Sequence, residues 1–514
     1  MNLADLTRYW GRTRPGNQAI VFGDTTQTWA EVDAATDALA RGLAARGVGK
    51  GDRVAVLMLN RPELAHLVLA TLKLGAISVP LNFRLTAKEL APMVVDAAPR
   101  VVVVEDDFAP LLAVAAEQAE FEIYAMDGVA HPPYRTLFDP GPAAPVEIAP
   151  DDPAFLCYTS GTTGVQKGAL ITHRNAMTPG VAQTVTHGFT ARDRVLCSAP
   201  LVYTGSVLSI FMQLVVVPGA TMVLLREFDP EIALDTLERE RITATTTVPV
   251  IWERMTTLPR FGDRELAPFT YAGTGGAPVS PDLVDFYRAH GIPLTQAYGL
   301  TEASGMVATL NHADARARPG FAGLALVGTR VRIGEPGTPV EPGTVGEILV
   351  RGEHIMREYW NKPEATAATL TGGWLRTGDL GLQDADGFLK IVDRSKDMLI
   401  SGGLNVYPAE IEKALHGIDG LVDLAVIGVP DDRWGEVPMV IFHSERPAAA
   451  VVADIAAVAD AELAKFKRPR HALALPEPLP RTFSGKLAKP ALRQRFPQVP
   501  DRAVPIVASA ETAV

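Results

Sequence analysis

The 514-residue sequence contains only two cysteines, Cys157 and Cys197. Two thiols cannot build a disulfide framework or a cysteine zinc cluster, and such scarcity is typical of proteins in a reducing compartment. We therefore expect a cytoplasmic protein. The first eight residues lack a basic stretch followed by an apolar core, so no signal peptide is predicted.

Basic residues are also in deficit, with 48 Lys and Arg against 59 Asp and Glu, which gives a formal net charge of −11. A broad nucleic-acid-binding face needs clustered positive charge, so no nucleic-acid partner is expected. Hydrophobic residues make up 47% and charged residues 21%, which is typical of a soluble globular protein. The length exceeds what one core supports and predicts roughly two or three domains.

One segment, Val195–Leu225, contains no Asp, Glu, Lys, Arg or His. A membrane-spanning helix needs about 20 consecutive apolar residues. Polar residues and Pro218-Gly219 interrupt this segment, so a buried helix over 206–217 and a buried strand over 221–225 explain it better. Membrane insertion is not expected.

Helix and strand signals alternate in the first part of the chain. Thr28 with Glu31, and Thr86 with Glu89, match the capping box that opens a helix. Uninterrupted apolar runs predict buried strands at Val54–Leu59, Ile77–Leu81 and Val101–Val104. Such strands between helices indicate an α/β fold, with parallel or mixed sheets flanked by helices in a large N-terminal domain.

Later changes in composition mark further parts of the fold. Gly-rich turns and short strands after Ala322 predict a small β-rich subdomain. A boundary is expected beside Asp393, and a small, mobile α+β domain follows it. The predicted divisions are therefore residues 1–393, 394–499 and a tail, 500–514, whose weak patterning suggests disorder.

The most informative stretch, Tyr158–Gly168, reads Tyr-Thr-Ser-Gly-Thr-Thr-Gly-Val-Gln-Lys-Gly. It contains three glycines, four Ser or Thr hydroxyls and one lysine, directly after a buried apolar run. Glycines let successive backbone N–H groups face one point, and the hydroxyls and Lys167 add donors and positive charge for phosphate oxygens. The Walker spacing is absent, which disfavours an ordinary P-loop NTPase. A flexible connector is the alternative interpretation.

Three other stretches have a similar character. Thr295–Glu302 brings an aromatic ring, a hydroxyl and a carboxylate into one turn, and the carboxylate could bind a hard cation such as Mg²⁺. Trp374–Asp379 ends in a carboxylate suited to ribose hydroxyls, and Pro480–Lys486 places a lysine on a loop. Each could alone be an ordinary turn or a basic surface segment, because short motifs often match by chance.

Together and in this order, these stretches closely resemble the acyl-adenylate-forming superfamily of acyl-CoA synthetases, carrier-protein adenylation domains and luciferases. The resemblance extends from about Leu39 to Leu492. The segment Asp393–Glu412 looks most like the CoA ligase branch. The resemblance implies that residues 1–393 form an AMP-binding domain and that residues 394–499 form a mobile lid.

The reaction implied by the resemblance has two steps and uses ATP, Mg²⁺ and coenzyme A. A carboxylate attacks the α-phosphorus of ATP to give acyl-AMP and pyrophosphate, and a thiol then displaces AMP. Both partners in the first step are anionic, so charge cancellation and positioning are needed. Glu302 with Thr159 would position Mg²⁺, Thr301 would contact the α-phosphate, and Lys486 would reach the α-phosphate and carboxylate oxygens.

The resemblance assigns the rest of the nucleotide site to three groups of residues. The β- and γ-phosphates would be held by Thr159, Ser160, Gly161, Thr162, Thr163, Gly164 and Lys167. The adenine would lie against Gly275, Gly276, Ala277, Ala297, Tyr298 and Gly299. The ribose would be bound by Asp379 and Arg394.

The second step would need a different surface at the same site. In the family that the chain resembles, the small domain rotates about its linker, and Lys396 or Asp397 would be the hinge. Ser401, Gly402 and Gly403 would then line a narrow pantetheine tunnel. The glycine pair could also simply form a tight turn, and both interpretations can hold together.

The chain departs from the family pattern at two positions. Gln166 stands where a proline usually precedes the phosphate-loop lysine, and no phosphate contact is lost. Tyr203, which we count among the catalytic residues, stands where many relatives carry histidine. A phenol cannot supply an imidazolium near neutral pH, although it can donate a hydrogen bond.

The acyl pocket is expected to be formed by mostly apolar or small residues, namely Tyr203, Ser206, Val207, Val248, Trp252, Thr274, Gly275 and Met306. None supplies an obvious countercharge for a second carboxylate, so the predicted substrate is a hydrophobic medium-chain, aryl or polycyclic acid.

The favoured hypothesis is an ATP-dependent acid–CoA ligase. One alternative is an acyl-AMP ligase that supplies a carrier protein or partner enzyme and uses CoA weakly. A more remote alternative is a non-catalytic nucleotide-binding homologue, because a fold does not guarantee a function. The expected partners are the small-molecule acid and CoA, and a homodimer is compatible with the sequence.

Overall fold

A computed structural model describes residues 2–159, 166–259, 261–276, 279–335, 338, 340–481 and 487–506. The chain forms two compact units. The first contains the chain up to Val331 together with Leu349–Arg376 and Gly387–Leu389. The second contains Arg332–Ile348, Thr377–Asp386 and the chain from Lys390 onward. The domain limits expected from the sequence, 1–393 and 394–499, stay a prediction.

The helices found in the described residues are α1 (Leu3–Thr13), α2 (Trp29–Ala45), α3 (Pro62–Lys73), α4 (Ala87–Ala97), α5 (Ala113–Ala116), α6 (His173–His187), α7 (Pro230–Arg239), α8 (Pro249–Thr256), α9 (Pro281–Ala289), α10 (His312–Ala317), α11 (Pro363–Thr369), α12 (Pro408–Leu415), α13 (Ala448–Glu462) and α14 (Lys489–Arg495). A π-helix spans Gly205–Val216. Short 3₁₀ turns are Asp106–Leu112, Tyr134–Leu137, Phe261–Asp263, Thr301–Ala303 and Lys465–Lys467.

The strands are β1 (Gln18–Phe22), β2 (Thr25–Thr28), β3 (Arg53–Leu57), β4 (Ile77–Pro80), β5 (Val101–Val104), β6 (Glu122–Ala125), β7 (Pro153–Thr159), β8 (Lys167–Thr172), β9 (Arg194–Cys197), β10 (Thr221–Leu224), β11 (Ala244–Thr247), β12 (Tyr271–Gly275), β13 (Leu294–Tyr298), β14 (Ala308–Thr309), β15 (Leu324–Ala325), β16 (Arg330–Ile333), β17 (Gly346–Arg351), β18 (Glu358–Tyr359), β19 (Leu370–Thr371), β20 (Trp374–Gln383), β21 (Leu389–Arg394), β22 (Leu399–Ser401), β23 (Leu404–Val406), β24 (Leu421–Asp431), β25 (Gly435–Ser444), β26 (His471–Ala474) and β27 (Val504–Pro505).

Two large sheets form the framework of the first unit. One follows the order β15-β14-β13-β12-β11-β9-β10-β1-β2, and the other follows β18-β8-β7-β4-β3-β5-β6. The central pairs are parallel, as between β3 and β5, whereas antiparallel pairs occur at the edges that β2 and β18 form. This confirms the predicted α/β class with mixed sheets. One hydrophobic core draws residues from both sheets and from the helices that cover them.

The helices α2 and α4 begin at the capping boxes that the sequence predicted. The Thr28 side chain accepts from Glu31 N–H in a complete capping box, and Thr86 with Glu89 repeats the arrangement at α4. These boxes satisfy backbone donors that a helix start leaves unpaired. Pro62 occupies the first turn of α3, where its missing N–H costs no hydrogen bond.

The uncharged segment 195–225 is interior structure. Ser206 to Val216 of the π-helix are all buried, and the strand β10 that follows it is buried at every position. Among the described residues, no helix combines the length and apolarity that crossing a membrane requires.

Two further sheets complete the fold. One follows β16-β17-β20-β19 with β21 beside β20, and it accounts for the β-rich region predicted after Ala322. The other, in the second unit, follows β23-β22-β25-β26-β27 with β24 beside β25. Val504 pairs with Ala472, so this part of the expected tail adds a strand to the sheet.

A buried ion triad joins α2 to α3. Lys73, whose side chain is fully buried, places its Nζ 2.5 Å from Asp33 Oδ1 and 2.6 Å from Asp37 Oδ1. Its third contact is Asp33 O, at 2.9 Å. Because a buried charge is tolerated only when it is paired, these contacts fix the register of the two helices.

We expect Lys73→Ala to lower the free energy of unfolding by about 3–5 kcal/mol, because it leaves two carboxylates without their partner. The measurement is urea unfolding followed by circular dichroism. The matched control is Arg41→Ala, which removes a surface ion pair with Asp139. The side chains of Arg41 and Asp139 are 39% and 46% exposed, respectively. Arg41→Ala should lower the free energy of unfolding by no more than about 1 kcal/mol. Equal losses in the two variants would contradict a special role for the triad.

Candidate active site

The phosphate-loop stretch connects two antiparallel strands. Thr159 at the end of β7 pairs with Lys167 at the start of β8, and its Oγ1 donates to Lys167 O over 3.4 Å. Ser160, Gly161, Thr162, Thr163 and Gly164 lie outside the described residues. The two ends of the predicted loop are therefore adjacent. A Cβ on Gly168 would lie 2.7 Å from Leu156 Cδ1, so a larger residue there would have to displace that side chain.

The predicted metal-binding turn follows β13. Thr301–Ala303 form a 3₁₀ turn, and Ser304 ends it with a φ of 52° in the left-handed region. Gly299 is needed because a Cβ there would lie 1.7 Å from Gly305 O as the chain folds back. The strand and this tight return present Thr301 and Glu302 together at one end of the sheet.

The structure brings Glu302 and Lys167 together through Tyr359. The Tyr359 hydroxyl donates to Glu302 Oε1 over 2.7 Å. Lys167 Nζ lies 5.1 Å from the centroid of the same ring, within the range of a cation–π contact. Residues predicted separately for the metal and for the phosphates therefore meet at one side chain.

Both faces of the turn are held by hydrogen bonds. Met356 N–H donates to Glu302 O over 2.8 Å, and Ser304 Oγ donates to His354 O over 2.8 Å. On the other face, Gln213 of the π-helix donates to Ser304 O over 2.6 Å and accepts from Gln183 over 2.8 Å.

Gln183, Gln213 and Ser304 are all fully buried. Unpaired buried amides are costly, so these three residues hold the turn in one conformation.

The predicted adenine-binding residues lie on adjacent parallel strands. Gly275 of β12 pairs with Ala297 of β13, and a Cβ on Gly275 would lie 2.6 Å from Ala297 O. Gly276 has a φ of 81°, which favours glycine. Tyr298 is buried at the end of β13. Ala277 lies outside the described residues, and stacking of Tyr298 on adenine stays a prediction.

Tyr203 lies directly before the π-helix and is half-buried. Burial raises the pKa of Tyr203, while the Arg84 guanidinium, which donates a hydrogen bond to the phenol, acts in the opposite direction. The net shift is upward, so the phenol is neutral at neutral pH. Ser206 and Val207 follow in the same helix and are buried.

The other predicted pocket residues occupy different environments. Trp252 is fully buried in a hydrophobic core, where its indole N–H donates to Gly273 O of β12 over 3.1 Å. Met306 packs with Ala182 and Ala297 in a small cluster. Thr274 is fully buried, and Val248 is the residue before α8. Their contact with an acyl group stays a prediction.

The predicted ribose and hinge residues lie in the second unit. Arg394 Nε lies 3.3 Å from Asp379 Oδ1, so the two side chains proposed for the ribose form one pair. Asp397 is bound by Arg493 of α14, with 2.6 Å between Oδ1 and the guanidinium. Burial, followed by the nearby Arg394 charge, lowers the pKa of Lys396.

The glycine pair forms the turn of a hairpin. Strands β22 and β23 pair up to Ser401 and Leu404, which leaves Gly402 and Gly403 as the two turn residues, with φ of 59° and 82°. Both angles favour glycine in a two-residue hairpin turn. A Cβ on Gly402 would meet the Trp434 ring at 2.7 Å, whereas no atom of the described residues lies within 4 Å of one on Gly403. Lys486 lies outside the described residues.

Two family models match the chain. The model described as AMP-binding enzyme matches residues 7–360, and the AMP-binding enzyme C-terminal domain matches residues 410–486. The chain belongs to the AMP-binding enzyme family.

Relatives within this family are named as CoA ligases. A feruloyl-CoA synthase of an Amycolatopsis species is 37% identical over 94% of this chain and 97% of its own length. The indoleacetate–CoA ligase of Aromatoleum aromaticum is 37% identical over 96% and 98%, respectively. The solved o-succinylbenzoate CoA synthetase of Bacillus subtilis, in complex with ATP and magnesium ion, superposes with a TM-score of 0.85 at 30% identity and covers 95% of this chain and 99% of its own.

Three residues that contact the Thr301–Ser304 turn or Tyr203 were not predicted from the sequence, namely Tyr359, Gln213 and Arg84. Tyr359 follows a segment with no regular pattern, and Gln213 is one polar residue in an apolar helix. No single-sequence signal marks such contacts. An isolated glutamine in an otherwise apolar run nevertheless suggests a buried hydrogen bond, because an unpaired amide is costly there.

We expect Tyr203→His to introduce a pH dependence that the natural chain lacks at this position. The phenol stays neutral, whereas an imidazole with an ordinary pKa of about 6.5, lowered by burial and by Arg84, gains its charge only below about pH 6.5. A positive ring beside the acid should lower KM for the acid several-fold between about pH 7.5 and pH 5.5.

KM is measured across this range with Tyr203→Phe as the control, since a phenyl ring cannot titrate. A profile of Tyr203→His identical to that of Tyr203→Phe would contradict the placement of residue 203 beside the acid.

Proposed function

We propose that the chain is an ATP-dependent acid–CoA ligase that activates a hydrophobic carboxylic acid as acyl-AMP and then transfers the acyl group to CoA. The observation that carries this proposal is the meeting of Lys167 and Glu302 at Tyr359, beside the paired ends of the Thr159–Lys167 loop. Positive charge and a metal-binding carboxylate at the end of a glycine-rich loop are what a polyphosphate requires.

The donor set fits Mg²⁺. At nucleotide sites this ion binds one or two carboxylates together with phosphate oxygens, and it prefers hard oxygen ligands. Glu302 supplies a carboxylate whose direction is fixed by the Tyr359 hydroxyl, and Thr159 supplies a hydroxyl. Bound there, the ion would neutralise phosphate charge. The o-succinylbenzoate CoA synthetase solved with ATP and magnesium ion supports the use of these two cofactors.

In the first step the acid's carboxylate oxygen attacks the α-phosphorus, and the bond to the bridging oxygen of pyrophosphate breaks. Lys167 and the loop bind the β- and γ-phosphates, so pyrophosphate leaves with its charge balanced. Thr301 contacts the α-phosphate. Lys486 approaches from its loop as negative charge builds on the α-phosphate. Because both reactants are anions, this electrostatic stabilisation is expected to be the largest contribution to the rate.

In the second step the CoA sulfur attacks the acyl carbon, and AMP leaves. The resemblance assigns this step to rotation about Lys396 or Asp397 and to a tunnel along Ser401–Gly403. The tight Gly402-Gly403 turn and the open space beside Gly403 support that assignment. Asp379 and Arg394 are proposed to hold the ribose hydroxyls.

The substrate is proposed to be a hydrophobic acid. Ser206 and Val207 lie on a π-helix that is apolar along most of its length, and Met306 packs among small apolar residues. The names of the relatives, a feruloyl-CoA synthase and an indoleacetate–CoA ligase, favour aryl acids within the predicted range.

The test of the whole proposal is a panel of carboxylic acids, with pyrophosphate and AMP measured with and without CoA. We expect AMP release that depends on CoA for at least one aryl or medium-chain acid. Pyrophosphate release without thioester formation would favour an acyl-AMP ligase, and ATP binding without pyrophosphate release for any acid would overturn the proposal. Preferential turnover of malonate or an amino acid would overturn the substrate class.

We expect Lys486→Ala to lower the rate of pyrophosphate release by about 10²–10³-fold, because it removes a positive charge from the transition state. The rate at which the acyl group is transferred from acyl-AMP to CoA should change less. The control is Lys465→Ala, which removes an exposed lysine from the second unit. An unchanged rate of adenylation in Lys486→Ala would remove Lys486 from the assigned role.

We expect Gly403→Trp to abolish thioester formation while leaving pyrophosphate release within about threefold of the natural chain, since an indole would fill the tunnel without touching the nucleotide site. The control for backbone strain at a positive φ is Gly417→Trp. Gly417 has a φ of 95°, and, as at Gly403, none of the residues that the structure describes has an atom within 4 Å of an added Cβ. Equal losses of thioester formation in both variants would show that strain, and not blockage, is the cause.

A further inference from the structure

Tyr359 lies on an edge strand that was not predicted from the sequence. Strand β18 pairs antiparallel with β8, so that Tyr359 faces Ala169, and Trp360 N–H donates to Gly168 O over 2.7 Å. Strand β8 begins at Lys167, which ties the position of Tyr359 directly to the end of the phosphate loop. The side chain is only 7% exposed, so it is held by its surroundings.

The two ends of this side chain have separate tasks. The hydroxyl donates to Glu302 Oε1, and the ring face is near the Lys167 ammonium. A phenol keeps its proton near neutral pH, so the Tyr359 hydroxyl is a hydrogen-bond donor to the carboxylate. A hydrogen bond to one carboxylate oxygen fixes the plane of the carboxylate. A ring beneath a lysine restricts a side chain that otherwise has many rotamers.

Both restrictions matter for a nucleotide. Mg²⁺ requires near-ideal octahedral geometry, so a carboxylate that rotates freely binds it poorly. Positioned charges also avoid reorganisation when the reaction begins. We propose that Tyr359 is a positioning residue for adenylation, which fixes the Glu302 carboxylate and the Lys167 ammonium relative to each other before MgATP binds. This inference rests on the proposed ligase function.

A second tyrosine supplies a matched comparison. Tyr124 lies on β6, at the opposite edge of the same sheet, and its hydroxyl donates to Glu122 Oε2 over 2.8 Å. The contact has the same chemistry, but it involves no residue of the candidate site. The Tyr124 hydroxyl also accepts from Arg46 Nε over 2.6 Å. Tyr124→Phe therefore reports what the loss of a phenol's hydrogen bonds does to the fold away from the candidate site.

The experiment measures binding of ATP by isothermal titration calorimetry without any acid, once with Mg²⁺ and once with a chelator. Tyr359→Phe keeps the ring and removes the hydroxyl, and we expect about tenfold weaker binding of MgATP with little change for metal-free ATP. Tyr359→Leu removes both contacts and should weaken binding of both forms. Tyr124→Phe should change neither.

A double variant tests whether Tyr359 affects MgATP binding through Glu302. In a Glu302→Ala background, Tyr359→Phe should cause no further loss of MgATP binding, because the group that it positions is gone. Pyrophosphate release by Tyr359→Phe should fall about tenfold or more, with the melting temperature within a few degrees of that of Tyr124→Phe.

Three results would overturn the inference: MgATP binding by Tyr359→Phe equal to the natural chain, equal weakening with and without Mg²⁺, or an additive loss in the double variant. Failure of the ligase proposal would look different. The natural chain would then bind MgATP and release no pyrophosphate with any acid, and the effect of Tyr359 on MgATP binding would still be measured.

Discussion

The candidate site depends on holding a negative and a positive group close together while both remain directed at a ligand. Without other contacts, a carboxylate and an ammonium at this distance tend to form an ion pair with each other and not with a ligand. Here Tyr359 contacts both, donating to Glu302 through its hydroxyl and facing Lys167 with its ring. A neutral, buried phenol can do this because it has one strong donor and one electron-rich face at separate places.

The rest of the first unit keeps these groups in place. The left-handed Ser304 and its neighbours are tied to the π-helix by Gln213 and to the 354–359 segment by Ser304 Oγ and Met356 N–H. The two contacts of Ser304 are buried, where an unmade hydrogen bond costs more than a made one gains. Rigidity at the turn therefore comes from polar groups that have no acceptable alternative partner.

In the second unit, the proposed tunnel depends on backbone conformation more than on charge. Its hairpin turns on two glycines at positive φ, which leaves space beside Gly403 and brings Gly402 against Trp434. The proposed hinge is nearby in sequence, with Asp397 held by Arg493. Small residues and one ion pair allow a segment to change its backbone angles without breaking a packed core.

The sequence by itself determined the family, the reaction class and the main elements of the fold. Capping boxes, apolar strand runs and the Tyr158–Gly168 motif are local signals, and local signals can be read without a structure. The bounds of the strands were predicted less accurately. For example, β3 covers Arg53–Leu57, whereas the apolar run predicted Val54–Leu59, because Leu59 N–H donates to the Glu105 side chain and not to a neighbouring strand.

Only the tertiary structure decided which side chains meet. Tyr359 and Gln213 reach the Thr301–Ser304 turn from segments 57 and 91 residues away in sequence. Trp252, whose contact with the acyl group stays a prediction, packs in a core and donates to Gly273 O. Such contacts follow from strand order and helix packing, and these depend on the whole chain closing around its cores. A sequence read along one dimension carries the residues of the site, but not the distances between them.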